Sequence, residues 1–246
     1  MASSENSPVV LIHGWGGNFI DTWQKPGIDA LLNDVGRQVI GINLLGHGDE
    51  EKPHDPEAYV NLSSWLLDHL PSTGPVDVVG FSLGALTTLR ALIDAPHRFG
   101  KVVLAGIGDG VFQQSAPDSH KRIIDALEGR APETDTFARM FAHYGNQPGN
   151  DVLALTAIMK RPPQTPIKPE ELASIQNEIR VVIGDKDFAA PADKLAASFP
   201  NATLVTLKNT DHFATTEAFS FIDVLLFVFN SATNTAPTPP IIAILI

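Results

Sequence analysis

The chain predicts an α/β fold: a doubly wound, mostly parallel sheet of about six strands with helices on both faces. Three observations lead there. Short β-branched runs recur along the chain, most of them continuously apolar, as expected of parallel strands covered on both sides. Amphipathic stretches of helical length separate them. The composition also suits a single globular core, with 246 residues, 43% hydrophobic and 18% charged, and a mean hydropathy of +0.04.

The strands are expected at Val9–His13, Gln38–Asn43, Val76–Phe81, Lys101–Ile107, Ile179–Gly184 and Thr203–Lys208. The helices between them are expected at Ala30–Val35, Ala58–Leu70, Leu83–Ala95, Pro191–Ser198 and Glu217–Asn230. One connection is too long for a simple crossover, with about 70 residues between the fourth and fifth strands. It has helical periodicity of its own, at Ile123/Ile124/Leu127, Phe137/Met140/Phe141/Tyr144 and Leu153/Leu155/Ile158/Met159. The division expected is therefore a core of residues 1–108 and 176–230, a helical insertion at 109–175, and a tail at 231–246. The polar half of that tail is expected to be disordered, and its last six residues, Ile-Ile-Ala-Ile-Leu-Ile, need a groove or a partner.

Composition also excludes functions. The net charge is −11, from 17 Lys+Arg and 28 Asp+Glu, which argues against nucleic acid and disfavours strongly anionic substrates. With no cysteine there is no disulfide, thiolate nucleophile or Cys-ligated metal. No signal peptide is evident before Val9, and the apolar run Val224–Phe229 is far shorter than the ~20 residues of a membrane span. A cytoplasmic protein without an integral span, monomeric or homodimeric, is the expectation.

Three motifs carry chemistry. Gly80-Phe81-Ser82-Leu83-Gly84 lies between a strand and a helix, the setting of a nucleophile elbow. The serine there occupies a strained tight turn, so the positions two before and two after must lack a bulky Cβ. His13-Gly14-Trp15-Gly16-Gly17 follows the first strand. Acyl transfer needs two N–H donors for a developing oxyanion, and the backbone groups of Leu83 and Trp15 are the candidates. His13 reads as structural, holding this loop by hydrogen bonds. The third motif is Gly184-Asp185-Lys186-Asp187, followed later by Asp211-His212-Phe213. A serine needs a base and the base an orienting carboxylate, and Ser82, Asp187 and His212 stand in the chain order of this elbow type. Asp109 is the main rival for the acid; Asp185 and Asp211 are less well placed. His47 reads as a turn residue, and His54, His69, His97, His120 and His143 as solvated.

These motifs resemble the α/β-hydrolase superfamily, and they match it in order from Val9 to about Asn230. The pattern HG-x-G is met by His13–Gly16, G-x-S-x-G by Gly80–Gly84, the acid-bearing strand end by Gly184–Asp187, and the histidine loop by Asp211–Phe213. The pattern D-x-x-G-H-G is met only in part, because Asn43 stands where the family has an acid. There is also no room for the antiparallel first hairpin of many members, and the insertion falls where the family carries its cap. The resemblance implies a serine hydrolase of a small-molecule carboxylic ester or related acyl compound, with Ser82, His212 and Asp187 as triad and no metal or organic cofactor. Lactonase, C–C bond hydrolase and cofactor-free perhydrolase share that triad. A ligand receptor that keeps it, and a peripheral membrane lipase, are rivals of other kinds. In the cap, Phe137, Met140, Phe141 and Met159 are expected, with Trp15, to line an apolar substrate pocket.

Overall fold

A computed structural model of the protein describes residues 7–114 and 117–230. The terminal tail 231–246, expected to be partly disordered, lies outside the described residues. The six strands are β1 (Val9–Ile12), β2 (Val39–Ile42), β3 (Val76–Phe81), β4 (Phe99–Ala105), β5 (Ile179–Gly184) and β6 (Ala202–Leu207). They form one sheet in the order β2-β1-β3-β4-β5-β6, with every neighbouring pair parallel. After β2 the chain crosses over β1 to lay down β3, so the winding direction reverses between β1 and β3. Ligands of open parallel sheets bind outside the carboxyl ends of the strands at such a reversal.

Alternate residues of each strand feed two apolar layers. Val10, Ile12, Val78, Val102, Leu104, Val181 and Ile183 face α2 (Leu62–His69), α3 (Leu83–Asp94) and α8 (Asp193–Ala197). Val9, Leu11, Val79, Phe81, Val103 and Val182 face α1 (Ile28–Asp34), Trp23 and α9 (Phe219–Phe229). The central strands are therefore buried on both sides, which is why they read as unbroken apolar runs. Edge strands β2 and β6 are only partly buried.

Away from the strand ends that matter for chemistry, a buried ion pair ties the sheet together. The Arg37 guanidinium donates to Asp77 Oδ2 at 2.6 Å and to the carbonyls of Ser7 and Phe229, while Asp77 Oδ1 accepts from Lys101 N–H.

Boundaries depart from the sequence expectation where a turn intervenes. Strand β4 starts at Phe99 and stops at Ala105, because Gly106 leaves the extended region at φ +69°. The helix expected from Ala58 is a 3-10 turn over Pro56–Tyr59, capped by Asp55, followed by α2. The last helix begins at Phe219 after a 3-10 turn at Thr215–Glu217. A π-helical turn at Ile20–Gln24 was not anticipated.

Asn43, the departure from the family pattern, has its own partners. Its amide donates to Asp49 Oδ1 at 2.6 Å and its carbonyl accepts Phe19 N–H at 2.7 Å. A carboxylate could take the second of these bonds but would repel Asp49.

Between β4 and β5 lie α4 (Pro117–Leu127), α5 (Thr136–Gly145), α6 (Val152–Lys160) and the short α7 (Pro169–Leu172). Asp135 and Asp151 start α5 and α6 by accepting the N–H groups of Ala138 and of Leu153 and Ala154. This helical insert is joined to the core at Trp15, whose indole N–H donates to Leu155 O at 3.1 Å.

Candidate active site

The turn from β3 to α3 sets the first element. Ser82 has φ +53° and ψ −112°, a strained backbone for a residue with a side chain. Its N–H is held by Ala105 O at 2.8 Å and its carbonyl by Leu86 N–H. The flanking glycines are required by close approach. A Cβ on Gly80 would stand 2.7 Å from Ala85 Cα, and one on Gly84 would stand 2.5 Å from the carbonyl oxygens of Ile12 and His13. Neither set of backbone atoms can yield, so the elbow pattern in the sequence reflects close packing of α3 against β3 at Gly80 and against the end of β1 at Gly84.

His212, in the loop after β6, brings Nε2 within 2.9 Å of Ser82 Oγ. Its Nδ1 lies 2.9 Å from both carboxylate oxygens of Asp187, in the loop after β5. With Asp187 ionised, Nδ1 carries the proton and donates, which leaves the Nε2 lone pair to accept from the Ser82 hydroxyl. Asp187 Oδ1 also accepts Ala189 N–H at 2.8 Å. Both His212 and Asp187 are buried, whereas Ser82 is partly open.

Each rival carboxylate is engaged elsewhere. Asp109 accepts Leu195 N–H at 2.8 Å and Lys194 N–H at 3.3 Å, satisfying the first turn of α8. Asp185 accepts Thr210 N–H, and Asp211 accepts Ala214 N–H.

The loop after β1 is fixed through its carbonyl. Gly14 O accepts from His13 Nδ1 at 2.7 Å and from Gly17 N–H at 3.1 Å. His13 Nε2 in turn accepts Leu44 N–H at 3.0 Å. Carbonyl and N–H lie on opposite sides of a trans peptide, so holding Gly14 O also fixes the direction of Trp15 N–H. Leu83 is the first residue of α3, and an N–H in the first helical turn has no intrahelical acceptor.

This arrangement requires a neutral His13, one nitrogen donating and the other accepting. Complete burial supplies it, lowering the His13 pKa to about 4. His47 stands in a turn, as expected, but is fully buried with its ring 4.9 Å from that of His13. Burial, and secondarily the nearby His13, lower its pKa to about 3. His54, His69, His97 and His143 are exposed as expected, but His120 is half-buried, and burial lowers its pKa.

Ser82 and His212 open onto a cavity of about 520 Å³, lined also by Trp15, Phe141, Tyr144 and Phe213 and by the charged Asp21, Lys25 and Glu217. Of the residues expected to line an apolar pocket, Trp15 and Phe141 are in its wall. Phe137, Met140 and Met159 are not. Phe137 packs behind Phe141 with ring centroids 5.0 Å apart, Met140 is 42% exposed, and Met159 packs on the core. The helical stripe is real, but only its Phe141 and Tyr144 positions turn toward Ser82. Sequence reasoning missed Tyr144, Phe213 and the π-helical turn that supplies Asp21. Tyr144 was visible in the same stripe as Phe141, and Phe213 directly follows His212. Among the described residues, no group of three or more His, Cys, Asp or Glu side chains is placed to hold a metal, and no helix is long and apolar enough to cross a membrane.

Comparison with known proteins gives a consistent picture. An esterase of Mycobacterium tuberculosis is 30% identical over 112 residues, a segment covering 44% of this chain and 35% of that protein. A putative non-heme bromoperoxidase of Mycobacterium tuberculosis has a similar structure, with TM-score 0.71, 20% identity and 94% of each chain covered. The enol-lactonase of Burkholderia xenovorans follows with TM-score 0.70, 20% identity and 91% of each chain covered. At such identities the two structures speak for the fold alone. The sequence profile of the alpha/beta hydrolase family matches residues 9–221, nearly the whole described chain. With the sheet order, the elbow and that match in agreement, the chain belongs to the alpha/beta hydrolase family.

Proposed function

We propose that this hydrolase cleaves a carboxylic ester, open-chain or cyclic, through an acyl-enzyme on Ser82. The observation that carries the reading is the unbroken line Ser82 Oγ, His212, Asp187, with 2.9 Å at each link. His212 Nε2 takes the hydroxyl proton as Ser82 attacks the acyl carbon. Asp187 stabilises the imidazolium and keeps Nδ1 protonated. The N–H groups of Trp15 and Leu83 receive the oxyanion. His212 then returns the proton to the leaving alkoxide, and water, activated by the same imidazole, releases the acid.

Residues 109–175 act in this reading as a cap that carries Phe141 and Tyr144 over the cavity, above a core of 1–108 and 176–230. The similarity to an esterase over 112 residues supports ester chemistry. The test is Ser82→Ala, assayed on short-chain p-nitrophenyl esters and simple lactones with folding checked by circular dichroism. Turnover should fall on the order of 10⁶-fold. A folded variant that keeps more than a tenth of the activity would remove Ser82 from the mechanism. Turnover of any member of the panel by wild type would exclude the rival reading of a ligand receptor that keeps the triad.

A further inference from the structure

Phe188 is half exposed, at 50%, directly after the buried Asp187. One face of its ring lies on the His212 imidazole, with centroids 4.3 Å apart and planes inclined by 37°. On the cavity side Phe81 contacts the same imidazole at 5.0 Å and 35°. Phe213 meets the imidazole edge-on at 5.6 Å and 80°, and of these three rings Phe188 alone is outside the cavity wall. The helical insert keeps the outer ring in place. Phe137 meets Phe188 edge-on at 5.2 Å and 88°, and Phe141 packs against it at 5.8 Å.

Resting on the reading of His212 as the base, we propose that Phe188 is a positioning residue that favours the protonated imidazole during turnover. The face of a phenyl ring attracts a cation placed over it, and the interaction strengthens where water is excluded. The Asp187–His212 pair has that setting, with side chains 0% and 6% exposed. Phe188 therefore does two things. Its π face stabilises the charge that His212 acquires when Ser82 gives up its proton, and its bulk covers the bond to Asp187. These act oppositely on the His212 titration: the ring face favours the cation, whereas exclusion of water disfavours it. Phe137 contributes at one remove, by fixing the tilt of Phe188.

Other groups also face this imidazole. Asp187 and Ser82 bond to it, and Asp21, Lys25, Glu217 and Tyr144 line the cavity onto which it opens. None of them touches Phe188 through a hydrogen bond or ion pair, so replacing Phe188 leaves their contributions in place.

The experiment follows the His212 imidazole by NMR titration in the full chain, its signal assigned by loss in His212→Gln. Phe188→Leu keeps an apolar cover and removes the π face. Its His212 pKa should lie about half to one unit below that of wild type. Phe188→Tyr keeps the ring and should restore the wild-type value. Phe188→Ala removes cover and ring together, and should lie above Phe188→Leu as water reaches the pair. The acid limb of kcat/KM on an ester should move with the NMR value. An unchanged or raised pKa in Phe188→Leu overturns the proposal and leaves Phe188 as packing only. The NMR reading does not depend on turnover. A protein that hydrolyses no ester would sink the functional reading while the titration still decided the role of Phe188.

Discussion

Replacing an aspartate by asparagine at two positions separates the orienting carboxylate from its nearest rival. Asp187 receives two kinds of donor, the Ala189 N–H at Oδ1 and the His212 Nδ1 proton. In Asp187→Asn the side-chain carbonyl is the only acceptor left. If it stays on Ala189 N–H, the amide NH₂ faces Nδ1, and a donor there requires Nδ1 to be unprotonated. The proton then sits on Nε2, which donates toward Ser82 and cannot accept its hydroxyl proton. The loss expected from this wrong tautomer is about 10⁴ in turnover, equivalent to about 5.5 kcal/mol at about 1.36 kcal/mol per factor of ten. Asp109→Asn breaks something different. The carboxylate there serves only the N–H groups of Lys194 and Leu195, and an asparagine oxygen can still accept one of them. The cost should be about 1 kcal/mol of stability or less, as for a weakened helix cap, with turnover reduced less than tenfold. The assay is kcat and KM on one p-nitrophenyl ester, with urea unfolding of both purified variants. The reverse ranking, with Asp109→Asn inactive and Asp187→Asn nearly normal, would refute the assignment of the acid.

Two further outcomes follow from the same structure. The neutral, buried His13 and His47 make the fold acid-sensitive: both titrate near 6.5 when unfolded and near about 4 and about 3 when folded. Below pH 6.5 the unfolded chain binds the extra protons, so stability is full above that pH and falls on acidification, by about 1.4 kcal/mol per histidine per pH unit until the folded values are reached. His47→Gln should roughly halve that slope in urea melts between pH 7 and 5; a wild-type stability flat across this range would contradict the burial argument. In the cavity, Phe141→Ala should extend the preferred acyl chain, since each newly buried methylene contributes about 0.8 kcal/mol, or about fourfold in kcat/KM. Met159→Ala should leave the chain-length profile as it is, and a profile that shifts with Met159 instead would show the cavity wall to be drawn wrongly.

Much of the architecture was written in the sequence because it depends on short-range periodicity and steric need. Unbroken apolar runs identify strands covered on both faces, and Val76–Phe81 and Ile179–Gly184 match their observed limits. Gly80 and Gly84 betray the elbow, since a Cβ at either would strike backbone. The order of Ser82, Asp187 and His212 along the chain put each one at a strand end on the same edge of the sheet.

Tertiary structure alone decided the rest. Which carboxylate meets His212 depends on where the loops after β4 and β5 lead, and only the folded chain sends Asp109 to α8 and Asp187 to the imidazole. The stripe Phe137/Met140/Phe141/Tyr144 marks a helix, but its rotation about its own axis is set by packing on Trp15 and Phe188. That rotation places Phe141 and Tyr144 in the cavity and leaves Met140 in solvent. The half-exposed Phe188 reads in sequence as one more loop aromatic. Its contact with His212 joins residues 24 positions apart and a helix from the insert, and no local pattern encodes it. Periodicity and steric exclusion act between neighbours in the chain, whereas the site is made by groups that meet only when the sheet, the loops and the insert are packed together.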